Sequence, residues 1–469
     1  MSYSIRSNFL RLAASALLVA AAAFGQSSSS RGVLLVSVDG LRPDYVTEAD
    51  KHELKIPYLR RLMREGAHAA SVRGVLPTST YPSHTTLVTG TTPAKHGIYS
   101  NHPFDPSAQN ANSWYWYAED LRVPTLWAAA ARAGRVVGSV SWPVSVGAPG
   151  IRFNLPEYAG TRTPEDLKML RALSTPPGLL AELEKKAGRY LMDVNEAIPR
   201  DWARTRHAAE MIRQKHARFL TVHLAALDHV QHGHGPFSPP ALATLEEIDR
   251  MVALLGDAIR SADPRSAICI VSDHGFVPVE RILKLDAAFV KAGLITPKSQ
   301  GDTLQSAGVA DWKAMPWPAS GSAAIVLKDG NDRATRLRVR QLLESLASDP
   351  DHGIAGILDR QEVAKLGGAP TAEFWVDLRP GFAIGSSLQG PIVSAVSTRG
   401  THGHSPAHSE LGAFFLIAGD GVGKGVAIGG IDMRSVAPTV ARALQVPFPT
   451  ADLPPLNVFT DGAAAPAGR

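Results

Sequence analysis

Apolar residues in this chain fall into short unbroken runs, and the stretches between those runs carry a helical period. "GVLLVSVDG" (32–40), "RVVGSVSWP" (135–143), "RFLTVHLAALDH" (218–229), "SAICIVSDHG" (266–275) and "GAFFLIAGDG" (412–421) are almost continuously apolar. Such runs suit strands buried on both faces. "IPYLRRLMREG" (56–66), "TLWAAAARAG" (125–134), "LLAELEKKAG" (179–188) and "ALATLEEIDRMVALLGDAIRSA" (241–262) instead repeat their apolar positions every three or four residues. Buried strands alternating with amphipathic helices predict an α/β fold, with a mostly parallel central sheet and helices on both of its faces. Residues 280–400 break the rhythm with Pro/Gly-rich linkers, strand-like "SAAIVLK" (322–328) and "AEFWVDL" (372–378), and a helix over 332–347. This stretch is expected to form an inserted β-rich subdomain beside the site.

The ends of the chain follow other rules. Arg6 and Arg11 precede the apolar segment "LAASALLVAAAAFG" (12–25), and "QSSSS" follows it. This is the pattern of a secretory signal over 1–25, with cleavage after Ala23 or Gly25 and a main domain over 30–460. The apolar segment is short for a membrane span. No transmembrane segment is expected after cleavage, and the product is expected to be periplasmic or secreted. Residues 461–469 ("DGAAAPAGR") are expected to be a disordered tail.

Composition narrows the function classes. Of 469 residues, 45% are hydrophobic and 19% charged, which suits one large globular domain. Removing the signal takes two arginines from a formal charge of only +5. No Lys/Arg run has the footprint of a nucleic-acid binder, so a small anionic substrate fits better than a polymer. A single cysteine, Cys269, excludes an internal disulfide, and its apolar surroundings mark it as a small buried hydrophobe.

The stretch "GVLPTSTYPSHTTLVTG" (74–90) reads as a loop feeding a helix. Pro82 suits the first turn, and Gly90 a left-handed ending. Thr80 is then either a capping residue or a hydroxyl aimed outward from a helix N-terminus, where anions bind.

Carboxylates and imidazoles collect where the strand-like runs end. Asp39 closes the first run, Asp228 and His232 are spaced i and i+4, and Asp273 and His274 are adjacent. His402, His404 and His408 follow in "RGTHGHSPAH". Ligands of open α/β sheets bind beyond the carboxyl ends of the strands. Imidazole with carboxylate is a donor set that zinc accepts, and these groups suffice for two ions. Two ions together can clamp the attacking and leaving oxygens of a phosphoryl transfer.

"VLLVSVDGLRPDYV", "PTSTYPSH" with "TLVTGTTPAKHGIYSN", "LDHVQHGHGP", "VSDHGF" and "GTHGHSP" occur in one order along the chain. In that order and approximate spacing the sequence resembles the nucleotide pyrophosphatase/phosphodiesterases, two-zinc members of the alkaline phosphatase superfamily. The likeness runs from about 32 to 460, outside the divergent 280–400 region. It implies that Thr80 is the nucleophile, that Asp39, Thr80, Asp273 and His274 hold one zinc, and that Asp228, His232 and His402 hold the other. Asn101 matches the family Asn that donates to a non-bridging phosphate oxygen. Tyr81, in place of the usual Phe, and Tyr158 match aromatics that would bind a nucleobase. Ser83, Gln231 and His404 depart from the family's usual Asn, Gly and Tyr.

The resemblance therefore implies a two-zinc phosphodiesterase acting on a small, nucleotide-like phosphate diester through a phospho-threonine intermediate. A phosphomonoesterase or a phosphonoacetate hydrolase of the same superfamily is the alternative. Where one monoesterase branch carries basic residues, "SVSWPVS" (139–145) has none, which favours the diester.

Overall fold

The computed structural model describes residues 31–109, 113–158, 163–193 and 196–460. The signal-like segment 1–25 and the 461–469 tail lie outside them. An eight-stranded sheet crosses the molecule in the order Val426–Asp432, Ala67–Arg73, Phe415–Ala418, Ala267–Val271, Val33–Val38, Phe219–Leu224, Val137–Val140, Phe153–Leu155. Only Phe415–Ala418 runs against its neighbours, and the other pairings are parallel. Each of the five continuous apolar runs contains one strand of this sheet.

The central strand shows why its apolar residues are continuous. Leu34, Val36 and Val38 enter one core with Leu183 and Met211, from helices Leu179–Ala187 and Ala197–Lys215, and Leu245 of Pro239–Ala262. Val33 and Leu35 enter a second core on the other face, with Trp127 of helix Leu126–Arg132 and Val440 of Val436–Leu444. With period-2 alternation, a strand covered on both faces needs an apolar residue at every position. Cys269 is fully buried in Ala267–Val271, where the absence of water pushes its thiol pKa up, so it is a packing residue.

The structure corrects the reading at 218–229. The strand stops at Leu224, and Ala226–His234 is a helix, so Asp228 lies in the helix after the strand. The buried carboxylate of Asp201 accepts a hydrogen bond from the Ala226 N–H at 2.7 Å, satisfying one of the amides a helix start leaves without a partner. Strands Ala67–Arg73 and Val426–Asp432 were not evident in the hydrophobic pattern. Their burial is interrupted by exposed positions, and "AHAASVR" and "VAIGGID" carry no continuous apolar run.

Residues 277–401 build the β-rich part. Four antiparallel strands lie in the order Ala314–Pro318, Ser322–Leu327, Ala372–Leu378, Ile354–Asp359. They share a separate core with helix Arg333–Ala347 through Ile325, Val339, Leu343 and Phe374. A three-stranded sheet combines Gly381–Ile384, Val277–Leu283 and Val393–Thr401, and the last of these delivers His402 to the sheet's carboxyl edge.

Candidate active site

Strand ends and helix starts bring the predicted residues together. Asp39 follows Val33–Val38, Asp273 and His274 follow Ala267–Val271, and Thr80 opens helix Thr80–Thr89. Asp228 and His232 share one face of Ala226–His234, as i,i+4 spacing dictates. Gly40 makes the turn after Asp39 at φ 70°, and its N–H donates to Asp273 Oδ1 at 3.1 Å. A Cβ there would lie 2.9 Å from the Phe276 ring, so a side chain would be crowded as well as strained. Gln231 ties the two halves of the site together, donating to the Gly40 carbonyl at 3.0 Å and accepting from the Tyr45 hydroxyl at 3.0 Å. The departure from the family pattern at Gln231 is thus a brace between the Asp39 turn and the Asp228 helix.

One donor atom each from Asp228, His232 and His402 lies within 4.8 Å of the others, and the same holds for Asp39, Asp228 and His274. Asp228 belongs to both triplets. Asp273 Oδ2 is 3.1 Å from His274 Nε2, and Thr80 Oγ1 is 3.5 Å from that same nitrogen. All seven residues the resemblance names as ligands therefore converge.

The donors are poised for a cation. Nδ1 of His232, His274 and His402 faces the backbone carbonyls of Gly400 at 3.1 Å, Gly275 at 3.0 Å and Thr78 at 3.1 Å. Those contacts put the N–H on Nδ1 and leave Nε2 free to accept a cation, the arrangement metal-binding histidines adopt. Asp39 Oδ1, Asp228 Oδ1 and Asp273 Oδ2 are buried without a hydrogen-bond partner. Buried oxygens of this kind are costly unless something cationic meets them.

Electrostatics agree. Burial, then Asp273 and Asp228, push the Asp39 carboxyl well above the usual carboxylate range. Burial would lower His274, but Asp273, Asp39 and Asp228 outweigh it and raise the imidazole to about 9. The carboxylates thus draw a proton onto His274, marking a site short of positive charge. Burial, with His274 and His232 alongside, keeps His402 well below its ordinary value and therefore neutral. The donor set fits zinc, which accepts both imidazole and carboxylate.

Thr80 is not the cap. Ser79 occupies that position, no side chain caps the helix, and the Thr80 hydroxyl turns toward His274. Asn101 Oδ1 accepts the Tyr81 N–H at 2.9 Å, which fixes the amide and frees its NH₂ to donate elsewhere. His402 and His404 are stitched to the loop before Thr80, since Thr78 Oγ1 donates to the His404 carbonyl at 2.9 Å. His404 itself is buried and faces the Phe382 carbonyl at 3.2 Å, and His408 pairs with Asp377 at 2.7 Å.

The two aromatics expected at a base differ in access. Tyr81 is 1% exposed and packed against Trp114 and Trp116, with ring centroids at 5.2 and 6.0 Å. Its ring has no free face here and serves as packing. Tyr158 is partly exposed beside Trp116 at 5.2 Å. Trp142 is fully buried, its indole edge on His84 at 5.0 Å, so it too is packing.

Two further residues were not singled out in the sequence. His223 Nε2 contacts Asp39 Oδ2 at 2.9 Å, and His84 Nδ1 donates to the Thr80 carbonyl at 2.8 Å. His223 lies inside an apolar strand run and His84 inside a Thr-rich helix, where neither spacing nor clustering marks a ligand's neighbour.

The type I phosphodiesterase/nucleotide pyrophosphatase family model matches residues 33–405. The chain belongs to that family. It is 26% identical over 277 residues to human ectonucleotide pyrophosphatase/phosphodiesterase family member 5, covering 56% of this chain and 49% of the relative. It is 24% identical over 248 residues to venom phosphodiesterase 2 of Crotalus adamanteus, covering 52% of this chain and 26% of the relative. The chain thus spans about half, or less, of the length of these curated relatives. Among solved structures, murine ectonucleotide pyrophosphatase/phosphodiesterase 5 superposes with a TM-score of 0.62 at 20% identity, over 91% of this chain and 97% of that one. An inactive threonine-to-alanine variant of that murine protein, in complex with AMP, superposes with a TM-score of 0.61 at 20% identity, over 91% and 97% of the two chains. The likenesses to the two solved structures establish that this chain shares their α/β fold.

Proposed function

We propose that this protein is an exported, two-zinc phosphodiesterase/nucleotide pyrophosphatase that cleaves phosphate diesters of nucleotide type through a phospho-threonine intermediate. The carrying observation is the convergence of three buried carboxylate oxygens that lack a hydrogen bond and face only the site's own histidines, with three histidine Nε2 atoms, beside the Thr80 hydroxyl. Asp39, Thr80, Asp273 and His274 would hold one ion and Asp228, His232 and His402 the other, with Asp228 placed to serve both. When bound, zinc lowers the pKa of a coordinated hydroxyl or water and stabilises a leaving oxygen.

Thr80 Oγ1 then attacks phosphorus. A P–O bond to Thr80 forms as the bond to the leaving alkoxide breaks, and water later opens the phospho-threonine. Thr80 starts a helix, whose dipole favours an anionic phosphate at that end. Asn101, held by the Tyr81 N–H, would donate to a non-bridging oxygen and steady the charge there. Tyr158 is left as the aromatic for a nucleobase. Export rests on the 1–25 pattern, and no helix among the described residues is long and apolar enough to cross a membrane.

The test compares matched aryl phosphate diesters and monoesters on zinc-loaded protein. The diester should have the higher kcat/KM by at least about tenfold. A preference for the monoester would overturn the diesterase assignment.

A further inference from the structure

The chemistry above leaves unused a cavity of about 230 Å³ where the 102–108 segment meets the β-rich part. His102, Phe104, Asp105, Asp286, Met315 and Trp317 line it, and none of its lining residues is Lys or Arg. Phe104 and Trp317 form an aromatic wall with ring centroids 5.6 Å apart, and the Trp317 indole is fixed by donating to the His102 carbonyl at 3.0 Å.

Asp286, partly buried, is the carboxylate that opens onto this lining. It sits in the first turn of helix Leu285–Lys291 without capping it. No ion pair or hydrogen bond among the described residues holds its carboxylate, and burial alone raises it to about 7. A partly desolvated carboxylate favours an opposite charge that meets it. Asp105, the other carboxylate of the lining, already accepts from the Ser107 N–H at 3.0 Å and hydroxyl at 2.5 Å, which leaves Asp286 as the counter-charge. Aromatic faces and a thioether suit an organic cation, which the ring quadrupoles attract.

The cavity also adjoins the reaction site. His102 follows Asn101, its ring lies 4.3 Å from Trp114, and Trp114 lies 5.2 Å from Tyr81, the neighbour of Thr80.

We propose that this cavity binds an organic ammonium group, with Asp286 as its counter-charge and Phe104 and Trp317 as its walls. The ammonium is carried by one arm of the substrate or is a free ligand. Only the first of these rests on the phosphodiesterase reading.

Titration with tetramethylammonium, followed by tryptophan fluorescence, tests the site without turnover. Asp286→Asn is isosteric and should weaken binding at least about tenfold. Trp317→Leu should weaken it as well. Unchanged affinity in both variants, or no saturable binding to the wild type, would overturn the proposal. A kinetic arm identifies the source, using two diesters that differ only in a 2-(trimethylammonio)ethyl or a 3,3-dimethylbutyl ester. A wild-type preference for the charged ester that vanishes in Asp286→Asn places the ammonium on the substrate. Asp286-dependent binding without that preference supports a free ammonium ligand. Wild-type turnover of the neutral ester tests the phosphodiesterase reading separately, so the two can fail independently.

Discussion

His223 Nε2 lies 2.9 Å from Asp39 Oδ2, while its Nδ1 lies 3.0 Å from the Ser141 carbonyl oxygen. Both nitrogens face acceptors, so both carry protons. Burial opposes the charge, but Glu157 and Asp39 outweigh it and raise the imidazole to about 10. His223 thereby fixes one oxygen of Asp39 and leaves Oδ1 directed at the cluster. His223→Ala should weaken metal binding by about 10- to 100-fold, as loss of a ligand's supporting partner typically does. Competition with a chromophoric chelator measures this. Wild-type affinity in the variant would show that Asp39 needs no such support.

Asp228 belongs to both donor triplets and His402 to one. Asp228→Ala should therefore lower the bound metal more than His402→Ala does, and both should lose activity with the metal. Thr80→Ala should keep its metal, because six other ligands remain, yet lose about 1,000-fold or more in kcat/KM. Elemental analysis alongside kinetics separates the cases. Full metal in Asp228→Ala would remove Asp228 from the site.

Tyr158 and Tyr81 should respond differently to truncation. Base stacking is worth about 1–3 kcal/mol, so Tyr158→Ala should lower kcat/KM for nucleoside 5′-monophosphate esters about 5- to 150-fold and for bis-aryl phosphates much less. Tyr81 is buried, and Tyr81→Ala should destabilise the fold by about 3–5 kcal/mol, weakening both substrates alike. A base-selective loss at Tyr81 with unchanged stability would reverse the two roles.

His96 predicts a pH dependence away from the metal ligands. Burial lowers its imidazole from 6.5 to about 3, and its ring contacts the Thr86 hydroxyl at 3.2 Å. The unfolded chain therefore takes the proton first as pH falls. The stability this neutral histidine contributes is complete above about pH 7 and drains away as pH drops toward 3. Between pH 7.5 and 5 the loss is about 2 kcal/mol. Denaturant unfolding of metal-free wild type and His96→Gln at both pH values should show the variant's stability falling less, by about that amount. Equal pH slopes would mean that His96 is not held neutral.

The sheet was legible because a strand buried on both faces leaves a continuous apolar run, as Val33–Val38 and Ala267–Val271 do. Ala67–Arg73 and Val426–Asp432 left no such trace, since exposed positions interrupt them. The candidate ligands were legible because Asp39, Asp273 and His274 are polar groups placed directly after apolar runs. Their supports were not. Nothing in the spacing of His223 or Gln231 says that the fold sets one beside Asp39 and the other across the Gly40 turn. The burial of Tyr81 likewise depends on Trp114 and Trp116, more than thirty residues away in sequence.

Covalent attack by Thr80 has a stereochemical signature. Two successive in-line displacements at phosphorus, first by Thr80 and then by water, restore the original configuration, whereas a single attack by water inverts it. A P-chiral nucleoside phosphorothioate aryl ester, hydrolysed in ¹⁸O-labelled water, reports which occurs. Net retention in the product is the predicted result, and net inversion would contradict the phospho-threonine intermediate.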